Sequence, residues 1–149
     1  MTRISSNPLG SADVLLLDTH VWVWILNGDL RARRSPALRI VEDAAANGSV
    51  RLSWVSIWEV SMLESRGRIV FPVPLREWIQ KALDAPGISL AALEPDILIE
   101  STRLPGEFHS DPMDHILVAT ARRYNARLVT SDPRILRYAK RDFVKALAF

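Results

Sequence analysis

The chain has 149 residues, 48% hydrophobic and 24% charged, the composition of one ordinary globular domain. With 19 Lys+Arg against 17 Asp+Glu, its net charge of +2 does not by itself mark a nucleic-acid binder, and zero Cys excludes a disulfide framework, a thiolate metal site and a cysteine nucleophile. Three His leave any metal to be held mainly by oxygen, and the longest apolar runs, such as 14–17, are too short to span a bilayer.

Residues 1–12 are polar and lack a signal-peptide stretch, so a flexible lead, one domain over 13–149 and a soluble cytoplasmic protein are expected. Residues 14–17 are continuous, apolar and closed by Asp18, which predicts a buried strand. Residues 19–26 read as a short helix stopped by Asn27-Gly28-Asp29. Residues 36–46 have helical spacing, with Ser35 as cap, Pro36 at the first helical position and Asn47-Gly48 as the stop. A strand at 50–54 and a helix at 56–66 follow, the helix closed by Gly67. Then come a helix at 75–83, a strand at 88–93, a helix at 95–103 and a loop at 105–111. Residues 113–124 are amphipathic, with Ile116, Leu117, Ala119, Thr120 and Ala121 toward the sheet and Arg122 and Arg123 toward water. A strand at 127–131, a helix at 132–141 and an edge strand at 143–147 end the chain. Strands alternating with helices predict an α/β protein, a three-layer α/β/α sandwich with a mostly parallel central sheet. In such folds ligands bind beyond the carboxyl ends of the strands, where strand order reverses.

Four acids are expected at that edge. Asp18 follows the first strand, Glu59 begins the helix after 50–54, Asp114 begins the helix after the 105–111 loop, and Asp132 follows the strand at 127–131. Three have local alternatives. Ser56-Ile57-Trp58-Glu59 is also a capping box, Asp111-Pro112-Met113-Asp114 repeats that pattern, and Asp132 before Pro133 is a plain N-cap. Asp18, at the end of an apolar strand, has no evident capping role. If the four converge, each pair at roughly 6 Å and an effective dielectric near 20 repels by about 3 kcal/mol, against about 0.3–1 kcal/mol returned by a helix N-terminus. Either some acids hold protons or a divalent cation neutralises them. An all-oxygen site suits Mg²⁺ or Mn²⁺, and such an ion assists phosphoester hydrolysis.

Four stretches carry a resemblance. Leu15-Leu16-Leu17-Asp18-Thr19-His20-Val21-Trp22, Ser53-Trp54-Val55-Ser56-Ile57-Trp58-Glu59-Val60, Asp111-Pro112-Met113-Asp114-His115-Ile116-Leu117-Val118-Ala119-Thr120-Ala121 and Leu128-Val129-Thr130-Ser131-Asp132 together resemble PIN-domain ribonucleases, specifically VapC-type toxins of bacterial type II toxin-antitoxin modules. The resemblance implies a PIN-like, flavodoxin-like sandwich, a Mg²⁺ or Mn²⁺ centre and endonucleolytic cleavage of RNA in the bacterial cytoplasm. It also implies a cognate antitoxin and a toxin homodimer as partners. Asp18, Glu59, Asp114 and Asp132 match the family's acidic quartet, Asp18 and Asp114 as direct metal ligands, Glu59 and Asp132 as direct or water-mediated ones. The hydroxyls of Thr19, Thr130 and Ser131 would orient ligands or water. His115 stands where relatives often place Arg and is expected to face solvent; His20 has a packing or a catalytic reading, and His109 has no assignment.

Arg31, Arg33 and Arg34, then Arg122, Arg123 and Arg127, then Arg134, Arg137, Lys140 and Arg141 form three basic groups, each a solvated surface or an RNA-backbone contact. Trp22, Trp24, Trp54 and Trp58 flank the first two motifs, some as core and the remainder as candidate anchors for an antitoxin segment. Competing readings are a non-catalytic RNA- or protein-binding member and a phosphoacceptor receiver domain. The receiver lacks its acidic pair after the first strand, where Thr19 and His20 stand, and its Asp within 53–56.

Overall fold

Leu15, Leu16 and Leu17 are each at most 1% exposed, as a central strand covered on both faces must be. The computed structural model describes residues 13–149; the expected flexible lead, 1–12, lies outside them. In chain order, β1 (Leu15–Leu17) leads to α1 (Thr19–Leu26), α2 (Leu30–Arg33) and α3 (Leu38–Ala46). After β2 (Val50–Ser53) come α4 (Trp54–Ser65) and α5 (Leu75–Leu83), and after β3 (Ile88–Ala91) come α6 (Pro95–Ser101) and α7 (Pro112–Arg123). The described chain closes with β4 (Arg127–Thr130), α8 (Pro133–Lys140) and β5 (Lys145–Ala148).

These strands form one sheet in the order β3-β2-β1-β4-β5, every adjacent pair parallel. The chain builds outward from β1 through β2 to β3, then crosses back to β4 and β5, so the order reverses between β1 and β4. Their carboxyl ends deliver Asp18 and the Ser131-Asp132 pair to that switch point. Successive side chains of β1 serve opposite layers, as the strand period of two demands. Leu15 and Leu17 pack with Trp22, Val41, Val60 and Trp78 from α1, α3, α4 and α5, whereas Leu16 packs with Leu117, Val118, Ile135 and Tyr138 from α7 and α8. Trp22 meets Trp78 edge-on at 5.1 Å, and Trp78 donates Nε1–H to Asn27 Oδ1 at 2.9 Å. These two Trp are core, while Trp54 and Trp58 are 52% and 55% exposed on one side of α4.

The sandwich agrees with the sequence, and local boundaries differ where a cap sits elsewhere. Ser35 Oγ accepts from Ala37 N–H at 3.2 Å and makes a turn rather than a helix cap, so α3 starts at Leu38, not at Pro36. The strand expected over 50–54 ends at Ser53, whose Oγ accepts from Val55 N–H at 3.1 Å and starts α4 at Trp54, ahead of the expected 56. Residues 30–33, between the expected helices at 19–26 and 36–46, form α2 because Asp29 caps them through Arg31 N–H. Val118 is buried and Ile116 half-buried, a small rotation of α7 from the expected face. No helix among the described residues is long and apolar enough to cross a membrane.

Gly87, between α5 and β3, has φ of +84°, and a Cβ there would stand 1.9 Å from the Ala45 carbonyl oxygen. Backbone strain and the clash each cost about 1–3 kcal/mol. Gly87→Ala is therefore expected to lower Tm by about 4–24 °C at roughly 2–4 °C per kcal/mol. Scanning calorimetry checks this, and an unchanged Tm would remove the argument for glycine at this crossing.

Candidate metal centre

The expected capping box at Ser56 to Glu59 does not form, because the cap of α4 is Ser53, one turn earlier. Ser56 is instead buried, its Oγ accepting from Thr19 Oγ1 at 2.8 Å, and Glu59 is left free of a cap. Asp18 does have a capping role that the sequence did not reveal: it is the N-cap of α1, Oδ1 accepting from Thr19 N–H at 2.8 Å. Its Oδ2 accepts from the Thr130 hydroxyl at 2.7 Å, and Thr130 Oγ1 accepts in turn from Asp132 N–H at 3.0 Å. One threonine thus ties the ends of β1 and β4 together. Asp111 caps α7 through Met113 N–H and Asp132 caps α8 through Arg134 N–H, as expected. Three helix N-termini therefore point at one place, each contributing a modest positive potential.

That place is an open cleft of about 440 Å³ lined by Asp18, Glu59, Asp111, Asp114 and Asp132, together with His20, Trp24, Ser131, Pro133 and Arg134. The four expected acids, from four separate segments, share it. Thr19 and Thr130 lie behind its wall as buried side chains, while Ser131 is exposed at the rim. Thr19 Oγ1 lies within reach of both Ser56 Oγ and the Glu59 carboxylate, and its single proton serves one at a time.

Burial pushes the Asp114 carboxyl up to about 7, reinforced by Asp18, Asp111 and Asp132 and opposed by Arg134. Burial likewise raises Asp18, against the pull of the Thr130 hydroxyl and the Thr19 amide, and raises Glu59. Asp132 alone of the four is held below its usual range, first by the hydrogen bonds of the Arg134 side chain. These opposed shifts are the response expected of crowded carboxylates without enough counter-charge.

The residues present fit a hard divalent cation. Donor atoms of His109, Asp114 and Asp132 all lie within 4.8 Å of one another, and Asp18 and Glu59 face the same cleft. His109 Nε2 is buried 2.9 Å from Asp114 Oδ2 yet makes no hydrogen bond. Burial and then Arg134 push this imidazole below its usual range, toward the neutral form that can ligate. Carboxylate oxygens with one imidazole suit Mg²⁺ or Mn²⁺.

His109 had no role in the sequence reading. It reaches the cleft because the preceding loop folds back, Phe108 packing on Tyr138 at 4.6 Å between ring centroids and the His109 carbonyl meeting His115 Nε2. His115, expected to face solvent, is half-buried with Nδ1 3.0 Å from the Ser101 carbonyl; it clips α6 to this loop. His20 is exposed at the cleft, its ring tilted 6.2 Å from Trp24, so it is no core residue. Arg122, Arg123 and Arg127 pair with Glu100, Glu94 and Asp13, which makes that basic group a surface charge network.

Fold and cleft together define a doubly wound α/β protein with an acidic pocket at its switch point. The PIN domain model matches residues 15–141, and the chain belongs to the PIN-domain family. Similar solved structures include a chain of VapBC2 from Rickettsia felis bound to a DNA fragment from their promoter, with TM-score 0.63 and 14% identity over 91% of this chain and 98% of that one. A chain of a toxin-antitoxin complex from Klebsiella pneumoniae has TM-score 0.55 and 20% identity over 79% of this chain and 86% of that one. A chain of FitAB bound to an IR36 DNA fragment has TM-score 0.57 and 15% identity, covering 91% and 94%. At such identities the likeness is one of fold. No curated protein matches the sequence.

Proposed function

We propose that this PIN domain is a divalent-cation-dependent endoribonuclease and the toxin of a toxin-antitoxin pair. The observation that carries the reading is that Asp18, Glu59, Asp114 and Asp132, from four segments, line one cleft at the switch point. Bound Mg²⁺ or Mn²⁺ would supply Lewis-acid chemistry, acidifying the attacking water and offsetting charge that builds on the phosphodiester. Asp18 and Asp114 would hold the ion, with Glu59 and Asp132 assisting directly or through water and His109 as an added donor. Thr130 fixes the carboxylate plane of Asp18, and Thr19, whose hydroxyl donates to Ser56, would steady Glu59 only when it turns toward that carboxylate. The Glu59 carboxylate, which lines the cleft and is raised by burial, would be the base that takes the proton of the attacking water. Ser131 offers its hydroxyl at the rim.

The toxin role is supported by the toxin-antitoxin complexes among the structural neighbours. Trp54 and Trp58, one turn apart and both exposed, are apolar anchors for a protein partner, an antitoxin segment or a second toxin. The bacterial cytoplasm follows from the same assignment.

End-labelled structured RNA incubated with the purified protein tests the reading. Cleavage is expected with Mg²⁺ or Mn²⁺, is abolished by EDTA and returns with excess ion. Cleavage that persists in EDTA rejects the cation-dependent chemistry. RNA binding with no cleavage by the ion-saturated protein assigns a non-catalytic member instead.

A further inference from the structure

We propose that Arg134 is the chain's own counter-ion to the acidic cleft, and that a divalent cation binds in competition with its guanidinium; this rests on the cation-binding part of the proposed function. Arg134 grips Asp132 with two side-chain contacts, Nε donating to Oδ1 at 3.2 Å and Nη2 to Oδ2 at 2.9 Å. The same Nη2 lies 3.8 Å from Asp114 Oδ2. Both acids belong to the trio whose donor atoms lie closest together. The planar fork thus covers carboxylate oxygens that a cation would need.

The pattern is legible as Asp-X-Arg at a helix start, and it occurs twice. Asp29 and Arg31 make the same fork at α2, at 3.0 and 2.9 Å, so the local geometry forms away from the acidic cleft as well. The two sites differ in their surroundings. Among the described residues Arg31 pairs with Asp29 alone, whereas Arg134 meets a second carboxylate brought from α7 and lines the acid cleft.

Guanidinium and divalent cation compete for those oxygens, since two cations at contact distance repel. The Arg134 side chain is 49% exposed, so it leaves into water by rotation without opening the core. It therefore raises the cation concentration at which the site fills. Partly exposed pairs of this kind shift an equilibrium by about two- to fivefold, and relief of cation–cation repulsion adds to that.

Isothermal titration with Mn²⁺ of the wild type, Arg134→Gln and Arg137→Gln is the test. The backbone amide at 134 still caps α8 through Asp132, so the first variant keeps its helix start. Arg134→Gln is expected to bind about fivefold more tightly, and Arg137→Gln, the same charge change one turn away, to stay within about twofold of wild type. In an NMR titration with Mg²⁺, the Arg134 Nε–H resonance is expected to move as the site fills. Unchanged or weaker affinity in Arg134→Gln, equal tightening in both variants, or a stationary resonance overturns the proposal. Wild type that binds no cation overturns the cation-binding reading along with it.

Discussion

Asp114→Asn is expected to abolish cation-dependent RNA cleavage and, in the same molecule, to raise the thermal stability of the ion-free protein. Losing one carboxylate that the ion needs is expected to lower the rate by roughly 10²–10⁴, about 3–5 kcal/mol of barrier. The stabilising half follows from the Asp114 carboxyl being pushed up to about 7 by burial and by Asp18, Asp111 and Asp132. Near pH 8 that group is ionised at a site that opposes its charge. A pKa unit corresponds to about 1.4 kcal/mol, and with a discount for partial solvent access the penalty is about 2 kcal/mol. An Asn has similar shape and no charge, so Tm in EDTA near pH 8 should rise by about 4–8 °C. Calorimetry in EDTA and cleavage with saturating Mn²⁺ read the two halves separately. A variant that loses activity and also melts lower would mean that Asp114 serves the fold, and the strained-site account would fail.

That trade between function and stability shows why the architecture was more legible than the site. Strand and helix alternation is written in contiguous residues, so Leu15 to Leu17 and the amphipathic 113–124 segment are readable one window at a time. The convergence of Asp18, Glu59, Asp114 and Asp132 was inferable because a parallel sheet sends strand ends and helix starts to one edge. Boundaries failed where two residues competed for a cap: Ser53 took the role that Ser56 offered, and so released Glu59. His109 and His115 were illegible for another reason. Their positions depend on loop closure against Tyr138 and on carbonyls of Ser101 and His109, contacts with no periodic signal. Arg134 stood in the sequence as one of a helical row of basic residues; what distinguishes it is the Asp114 carboxylate that α7 brings beside its fork, a tertiary contact.

The second large effect is on the pH dependence of stability, which is expected to reverse when a divalent cation is added. Burial pushes the Asp114 carboxyl from its ordinary 3.8 up to about 7. A carboxyl raised on folding stabilises the native state fully below the unfolded value, and that contribution is lost as pH climbs through the folded one. Asp18 and Glu59 are raised as well and act in the same direction. Asp132 and Asp29 act oppositely, since both are lowered, Asp29 to about 2; their contribution is present above the unfolded value and disappears as acid is added. The two windows scarcely overlap. In EDTA, Tm should therefore decline between about pH 5 and pH 8, with at most about 1.4 kcal/mol lost per pH unit for each proton released. A cation needs ionised carboxylates, so its affinity grows across that window, and at a hundred times its Kd it contributes about 2.7 kcal/mol. With excess Mn²⁺ the decline should vanish or turn upward, and Asp114→Asn should flatten the EDTA profile. A flat EDTA profile for the wild type would show that the acids carry no unrelieved charge. If the EDTA and Mn²⁺ profiles decline in parallel, the carboxylates are crowded for a reason other than holding an ion.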